Sequence, residues 1–155
     1  MRRFWGIMVR AIENTSIEET VTDNLKQKRK KGDTDRQRIL IVDDDPVVRR
    51  IVLELLNNRY TVILASTGVQ LPDLLQKHQP DLVILDVMLP WVNGFELCRI
   101  IKTHPEGKNL PVLFLTGCKE KEDKMTGREV GASGYLTKPF YAKDLYHEVE
   151  RLLAA

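Results

Sequence analysis

The sequence predicts an α/β fold, a (βα)5 three-layer sandwich in which a parallel five-stranded sheet lies between two layers of helices. Two observations predict it: short runs of Val, Ile and Leu recur after residue 37, and segments with helical spacing separate them. Such alternation joins parallel strands through right-handed crossovers. Because the runs are apolar at every position, we expect the strands to be buried on both faces.

The expected elements follow one another in regular order. The strands are Ile39–Val42, Val62–Ala65, Leu82–Leu85, Val112–Leu115 and Gly134–Thr137. Apolar stripes predict four helices, at Val47–Leu56, Leu71–Leu75, Phe95–Ile101 and Leu145–Leu152. A further segment, Lys119–Val130, is highly charged, so we expect an exposed helix with a weak point at Gly127. The second and fifth strands are the least apolar, which makes them the expected edges of the sheet.

Local signals mark the ends of the helices. Asp45 precedes Pro46, the pattern of an N-cap followed by proline at the first helical position. Asn57 and Asn58 end the first helix, and Gly131 follows the charged one. We therefore interpret Asp45 as a structural residue.

Composition and charge divide the chain of 155 residues into two parts. The formal net charge of +2 predicts no particular partner, but residues 1–36 carry 9 basic and 6 acidic residues, a net charge of +3. We expect residues 1–36 to be a basic N-terminal extension, mostly disordered or transiently helical, with a docked helix as the alternative. Residues 37–155 form the expected domain. The basic run Lys26–Lys31 could contact nucleic acid or acidic lipid, or be a solvated tail.

Several classes of protein are excluded by the same inventory. No stretch approaches the roughly 18 apolar residues of a membrane span, and the N-terminus lacks the features of a signal peptide. Cys98 and Cys118 lie in apolar segments, so we interpret them as reduced thiols of a cytoplasmic protein. The three histidines lack metal-site spacing.

Acidic residues follow two of the expected strands directly. Asp43 and Asp44 come after the first strand, and Asp86 comes after the third. The carboxyl ends of parallel strands share one edge, where ligands bind. If the first and third strands are neighbours, as in the strand order 2-1-3-4-5, these acids converge and stay ionised together only beside a cation. Oxygen-rich clusters of this kind suit Mg²⁺.

Two further strand ends carry complementary groups. Thr116 follows the fourth strand and Lys138 the fifth, and Gly117 leaves room beside Thr116. A hydroxyl and an ammonium group beside a metal-bound carboxylate form a site for a phosphoryl group. Asp86 could then act as a nucleophile and form an aspartyl phosphate.

At this point the sequence resembles the receiver domain of two-component response regulators, a flavodoxin-like fold with strand order 2-1-3-4-5. The resemblance lies in four segments, ILIVDDDPVVRRIV, LVILDVMLPWVNGFELC, VLFLTG and GASGYLTKPF, and covers about Arg38–Leu153. It is closest in kind to stand-alone, chemotaxis-regulator-like receivers, because the chain stops after the last helix. A fragment of a longer protein would end in the same way.

The resemblance implies a role for each residue of the acidic site. Asp86 matches the phosphorylated aspartate. Asp44 matches the direct Mg²⁺ ligand, Asp43 a ligand that acts largely through water, and the backbone carbonyl of Met88 the third protein ligand. Lys138 matches the lysine that stabilises the phosphoryl oxygens.

The resemblance also implies a conformational switch. Thr116 matches the switch hydroxyl and Tyr135 the aromatic switch residue, which fills the space that Thr116 vacates. The Lys138–Pro139 bond matches a peptide bond that is cis in this family. An exposed edge-strand tyrosine remains the alternative for Tyr135.

The implied partners are a sensor histidine kinase or a histidine phosphotransfer protein, together with an unknown output protein. A phosphorylation-dependent homodimer is a further option, and nucleic acid is not expected to bind through the receiver. The resemblance implies that the protein is not a conventional enzyme but catalyses its own phosphorylation and dephosphorylation at Asp86. One competing hypothesis is a phosphorylation-independent pseudo-receiver. Another is a flavodoxin-like cofactor binder or phosphatase, which needs a phosphate-binding loop after the first strand; it is disfavoured because the sequence there is DDDPVV, which would repel a flavin phosphate.

Four positions depart from the commonest pattern of the family. Asn93 stands where an Asp-Gly turn is usual, and asparagine suits a turn equally well. Trp91 is bulky for its loop; it is either a partner-contact or lid residue, or it packs on its own backbone. Met88 and Cys118 are apolar where polar residues can assist an attacking water, so we expect slow loss of the phosphoryl group.

Overall fold

A parallel sheet of five strands forms the centre of the computed structural model, which describes residues 36–117 and 121–155. The strands are β1 (Arg38–Val42), β2 (Thr61–Ala65), β3 (Leu82–Leu85), β4 (Val112–Thr116) and β5 (Gly134–Thr137). The helices are α1 (Pro46–Leu56), α2 (Leu71–His78), α3 (Gly94–Thr103), α4 (Lys121–Glu129) and α5 (Ala142–Leu153), with a 3-10 turn at Gly68–Gln70. The predicted alternation of strands and helices is confirmed.

The strands lie in the order β2-β1-β3-β4-β5, and every neighbouring pair is parallel. The predicted order 2-1-3-4-5 and the two predicted edge strands are therefore confirmed. The register pairs Val42 of β1 with Leu85 of β3, so these two strands end side by side. The residues that follow Val42 and Leu85 consequently meet at one edge of the sheet.

Alternate strand residues fill two separate cores, one on each face of the sheet. Leu40, Val83 and Phe114 pack on the face covered by α2 and α3, together with Val130 after α4. Ile41 and other residues of opposite parity pack against α1 and α5 on the second face. The residues of β1, β3 and β4 from Ile39 onward are all buried, as their uninterrupted apolar runs predict.

The helix ends follow the local sequence signals. The Asp45 side chain caps α1 by accepting a hydrogen bond from the Val47 amide at 2.8 Å, and Pro46 occupies the first helical position. Asn93 caps α3 in the same way, accepting from the Phe95 amide at 2.8 Å. None of the described helices is long and apolar enough to cross a membrane.

Gly127 has a different role from the weak point expected in the charged helix. It is buried, and a Cβ atom added there would lie 3.2 Å from Cδ2 of Tyr135. The missing side chain thus allows α4 to pack closely on the Tyr135 ring. Cys98 is a buried free thiol, as expected, whereas Cys118 and the extension up to residue 35 lie outside the described residues.

Candidate functional site

Three carboxylates meet at the carboxyl edge of the sheet. Asp43 follows β1, and Asp86 follows β3, where its amide continues the ladder by donating to the Val42 carbonyl at 2.9 Å. Ligand oxygens of Asp43, Asp44 and Asp86 all lie within 4.8 Å of one another. Asp43 and Asp86 are 1% and 5% exposed, whereas Asp44 faces solvent. The structure therefore brings the three predicted acids together.

Lys138 reaches this cluster from the end of β5. Its ammonium group donates to Oδ2 of Asp43 at 2.6 Å and to Oδ2 of Asp86 at 2.9 Å. Its backbone amide donates to the Thr116 carbonyl at 2.8 Å, which fixes the start of the following turn. Burial opposes the charge on Lys138, but hydrogen bonds and attraction from the two carboxylates outweigh burial and raise its pKa. The lysine is thus a permanent cation of the site.

Asp43 is anchored on two sides. Its Oδ1 atom accepts a hydrogen bond from the Asp45 amide at 2.9 Å, and its backbone carbonyl accepts one from Arg49 at 2.6 Å. Burial raises the pKa of Asp43, with a smaller contribution from Asp86, and hydrogen bonds from Lys138 and Asp45 oppose that rise. Sequence reasoning missed Arg49, because its hydrogen bond to the Asp43 carbonyl depends on the orientation of α1 relative to β1, which no sequence motif indicates.

Asp86 uses both carboxylate oxygens. Oδ2 accepts from Lys138, and Oδ1 accepts a hydrogen bond from the Met88 amide at 3.1 Å. The Met88 side chain is 66% exposed, at the rim of the site. Asp86 is therefore oriented by one cation and one backbone donor.

The segment Val87–Asn93, which we call the acceptor loop, shapes the backbone beneath Asp86. The Gly94 amide donates to the Val87 carbonyl at 2.9 Å, and Met88 and Asn93 form an antiparallel bridge across the loop. A Cβ atom on Gly94 would lie 2.2 Å from the Asp86 carbonyl oxygen. Sequence reasoning missed this requirement, because the Asn93–Gly94 pair indicates only a turn.

Trp91 projects from the acceptor loop into solvent. It is 83% exposed and has a φ angle of +74°. The neighbouring Val92 instead packs inward, so closely that a Cβ atom on Gly68 would lie 2.4 Å from its Cγ1 atom. The alternative that Trp91 packs on its own backbone is therefore wrong.

Thr116 and Tyr135 lie toward the β5 edge. Thr116 is the fully buried last residue of β4, and Tyr135 is half-buried opposite Phe114. Because Phe114 and Thr116 are two residues apart, Thr116 and Tyr135 share one face of the sheet. The Phe114 ring lies 5.9 Å from the Tyr135 ring and 5.1 Å from the Phe95 ring, centroid to centroid.

Two further features near Thr116 and Lys138 agree with what the sequence led us to expect. A Cβ atom on Gly117 would meet no atom of residues 36–117 or 121–155 within 4 Å, so these residues leave space beside Thr116. The Lys138–Pro139 peptide bond is cis, as the resemblance implies. The donor set of three carboxylates with open access from Asp44 fits a hard divalent cation such as Mg²⁺.

Comparison with known proteins identifies the same region. The family model described as the response regulator receiver domain matches residues 39–150. Response regulator MprA of Mycobacterium sp. (strain KMS) is 41% identical over 117 residues, which are 75% of this chain and 50% of that protein. The chain thus spans about half the length of the curated relatives it matches.

Solved structures agree with this match. The chemotaxis response regulator CheY4 of Vibrio cholerae has a TM-score of 0.71 and 33% identity, covering 76% of this chain and 98% of that one. The BeF3-activated receiver domain of DrrB, from Thermotoga maritima, has a TM-score of 0.67 and 38% identity, covering 77% of this chain and 99% of that one. With the acidic edge, the strand order and these matches in agreement, the chain belongs to the receiver domains of two-component response regulators.

Proposed function

We propose that Asp86 accepts a phosphoryl group from a phosphohistidine, in an Mg²⁺-dependent reaction, and that the product switches a protein-interaction surface. The donor is a sensor histidine kinase or a histidine phosphotransfer protein. The observation that carries the proposal is the Asp86 carboxylate itself, which is buried, paired with Lys138 at 2.9 Å and beside two further carboxylates. An ordinary capping aspartate, such as Asp45, has no such surroundings.

The proposed metal ligands are the carboxylates of Asp43, Asp44 and Asp86 and the backbone carbonyl of Met88. The clustering of three carboxylate ligand atoms within 4.8 Å supports the three aspartates, and the Met88 carbonyl is assigned from the resemblance alone. Asp44, which is exposed, would be the direct ligand, while Asp43 would act largely through water. When bound, Mg²⁺ supplies positive charge to the phosphoryl oxygens.

The chain's own groups supply the remaining chemistry. A carboxylate oxygen of Asp86 attacks phosphorus, the phosphorus–nitrogen bond breaks, and the electron pair leaves with the imidazole, which takes a proton. The Lys138 ammonium neutralises charge on the transferring oxygens, and the Thr116 hydroxyl donates a hydrogen bond to one of them. Water later attacks the phosphorus in the same site, the bond between phosphorus and the Asp86 oxygen breaks, and inorganic phosphate leaves as the carboxylate is regenerated.

The proposed switch acts on the surface of α4, β5 and α5. Thr116 moves toward the phosphoryl group, and Tyr135 turns into the space it leaves. Tyr135 lines a groove of about 460 Å³ on that surface, with Lys124, Arg128 and Arg151 along its sides. A change in the Tyr135 ring therefore changes the shape of a surface that an output protein, or a second copy of the chain, could recognise.

The proposed setting is cytoplasmic, with residues 37–155 as the receiver and residues 1–36 as a separate extension. The family match over residues 39–150 supports this division.

The test is phosphorylation by acetyl phosphate with Mg²⁺. We expect an acid-stable, base-labile adduct that EDTA prevents and Asp86→Asn abolishes. Asp81→Asn is the matched control, because Asp81 lies at the opposite end of β3, where it accepts a hydrogen bond from the Arg38 amide at 2.7 Å. No adduct on the wild-type chain would favour the pseudo-receiver, and an adduct that survives Asp86→Asn would place the chemistry elsewhere. Beryllofluoride, the activating group named for DrrB, provides a stable analogue.

A further inference from the structure

The acceptor loop has a fixed shape. Its two ends are joined by the hydrogen bond from Gly94 to Val87 and by the bridge between Met88 and Asn93. Leu89 is buried, and Val92 packs tightly against Gly68. Leu89 and Val92 therefore anchor the loop backbone before and after Trp91.

The backbone conformation and the exposure of Trp91 are both unfavourable for folding. A φ angle of +74° is the left-handed conformation, which favours glycine and penalises other residues. Tryptophan offers a large apolar side chain for burial, yet 83% of Trp91 is exposed. The fold thus accepts backbone strain and gains little burial in return. Strain of this kind, held by well-packed neighbours, is typical of residues that serve binding.

The location of Trp91 indicates what it binds. Asp86 is only 5% exposed, so a protein that delivers a phosphoryl group must contact the carboxyl edge of the sheet around it. The acceptor loop borders that edge, and the Met88 amide touches Asp86 directly. Residues 87–93 contain no charged side chain, whereas the floor of the site holds three carboxylates. The loop is therefore an uncharged rim beside an acidic centre.

We propose that Trp91 is an anchor for the protein phosphodonor and inserts into an apolar surface beside the donor's phosphohistidine. This inference rests on the proposed function of Asp86. Large aromatic side chains contribute disproportionately to binding when a partner buries them. A small donor such as acetyl phosphate needs no such contact, so its reaction with Asp86 is independent of Trp91.

The experiment compares Trp91→Gly, Trp91→Phe and the wild type. The control is Met125→Ala, which removes an exposed apolar side chain from α4. Each protein is phosphorylated with acetyl phosphate and, separately, with the autophosphorylated sensor kinase that transfers fastest to the wild type in a purified panel. The melting temperature and the oligomeric state of each variant are measured alongside.

For Trp91→Gly we expect kcat/KM with the kinase to fall by about 10- to 30-fold. The rate with acetyl phosphate should stay the same, and the melting temperature should stay the same or rise by up to about 4 °C, because glycine relieves the strain. Trp91→Phe should retain most of the transfer, and Met125→Ala all of it.

Three outcomes would overturn the inference. Equal transfer from the kinase to Trp91→Gly and to the wild type would refute the proposed role of Trp91 in binding. A large drop in the melting temperature of Trp91→Gly would also refute it, because Trp91 would then be a packing residue. A change in oligomeric state with unchanged transfer would assign Trp91 to contact with a second copy. Failure of acetyl phosphate to modify the wild type is a different result, because it refutes the proposed function of Asp86 itself.

Discussion

The middle of the sheet and its β5 edge are packed in different ways. The last four residues of both β1 and β3, and all of β4, are buried, whereas all four residues of β5 are half-buried. Asp43 and Asp86 extend from the middle, and Tyr135 lies at the edge. The residues proposed for chemistry thus stand on a close-packed base, while the proposed switch residue stands where fewer contacts must change. The difference suggests a division between fixed geometry and adjustable surface.

The largest expected effect on stability comes from a substitution that disturbs the backbone at the end of β3, in the middle of the sheet. Gly94→Ala places a Cβ atom 2.2 Å from the Asp86 carbonyl, so we expect a loss of about 3 kcal/mol in the free energy of unfolding and little phosphorylation. Urea denaturation measures the first effect. Gly117→Ala is the stability control, because its added Cβ would meet no atom within 4 Å in the part of the chain that the structure describes. Equal stability of the two variants would contradict the close approach at Gly94.

Lys138→Ala removes the cation that joins the two buried carboxylates. Without Mg²⁺ we expect a loss of about 2 kcal/mol in the free energy of unfolding, because the Oδ2 atoms of Asp43 and Asp86 lose the ammonium group that they share. Phosphorylation by acetyl phosphate should fall by about 100-fold or more. Denaturation with and without Mg²⁺ should show that Mg²⁺ stabilises Lys138→Ala more than it stabilises the wild type.

Lys102→Ala provides the comparison for that variant. Lys102 is a half-buried lysine that donates to the Leu110 carbonyl at 2.5 Å, away from the acidic cluster. Its loss should lower stability and leave the rate of phosphorylation unchanged. Phosphorylation that survives Lys138→Ala unaltered would remove the lysine from the site's chemistry.

A smaller effect concerns the lifetime of the phosphoryl group. The apolar Met88 side chain lies at the rim of the site and cannot orient water, so Met88→Asn should shorten the lifetime several-fold. Release of inorganic phosphate after removal of the donor gives the rate. Val47→Asn is the matched control, because Val47 is 63% exposed and Met88 66% exposed. An unchanged lifetime in Met88→Asn would refute the hypothesis.

The smallest expected effect lies at the edge and sharpens the contrast. In the wild type, the helix-stabilising gain of Gly127→Ala is opposed by contact with Tyr135, because the new Cβ would lie 3.2 Å from the ring. In a Tyr135→Ala background that contact is gone, and Gly127→Ala should stabilise the protein by about 1 kcal/mol. A double-mutant cycle by chemical denaturation measures the difference. A coupling of zero would mean that α4 and Tyr135 do not constrain each other.

Much of the fold was predictable because its signals are local or periodic. Uninterrupted apolar runs predicted buried parallel strands, and the Asp45–Pro46 pair predicted the start of α1; the structure confirms both. The convergence of Asp43, Asp44 and Asp86 was predictable because strand ends share an edge once the strand order is assumed. The roles of these residues in phosphorylation stay predictions.

Close approaches between distant segments were not predictable. Gly94 leaves room for the Asp86 backbone, Gly68 for Val92, and Gly127 for Tyr135. A glycine in the sequence indicates only freedom or weakness, because the atom that would collide with a Cβ belongs to another element. The exposure of Trp91 was equally hidden, since it depends on how the residues on either side of it pack.

The rings of Phe95, Phe114 and Tyr135 form a continuous row from α3, across β4, to the edge strand. The Phe95 and Phe114 rings meet edge to face at 74°, and the Phe114 and Tyr135 rings are inclined at 56°. A ring current acts through space on nearby protons and depends on such angles, so a turn of the Tyr135 ring would alter the magnetic environment of the Phe114 ring beside it. The protein therefore carries its own spectroscopic probe, and aromatic proton shifts could follow events at Asp86 without any label in the site.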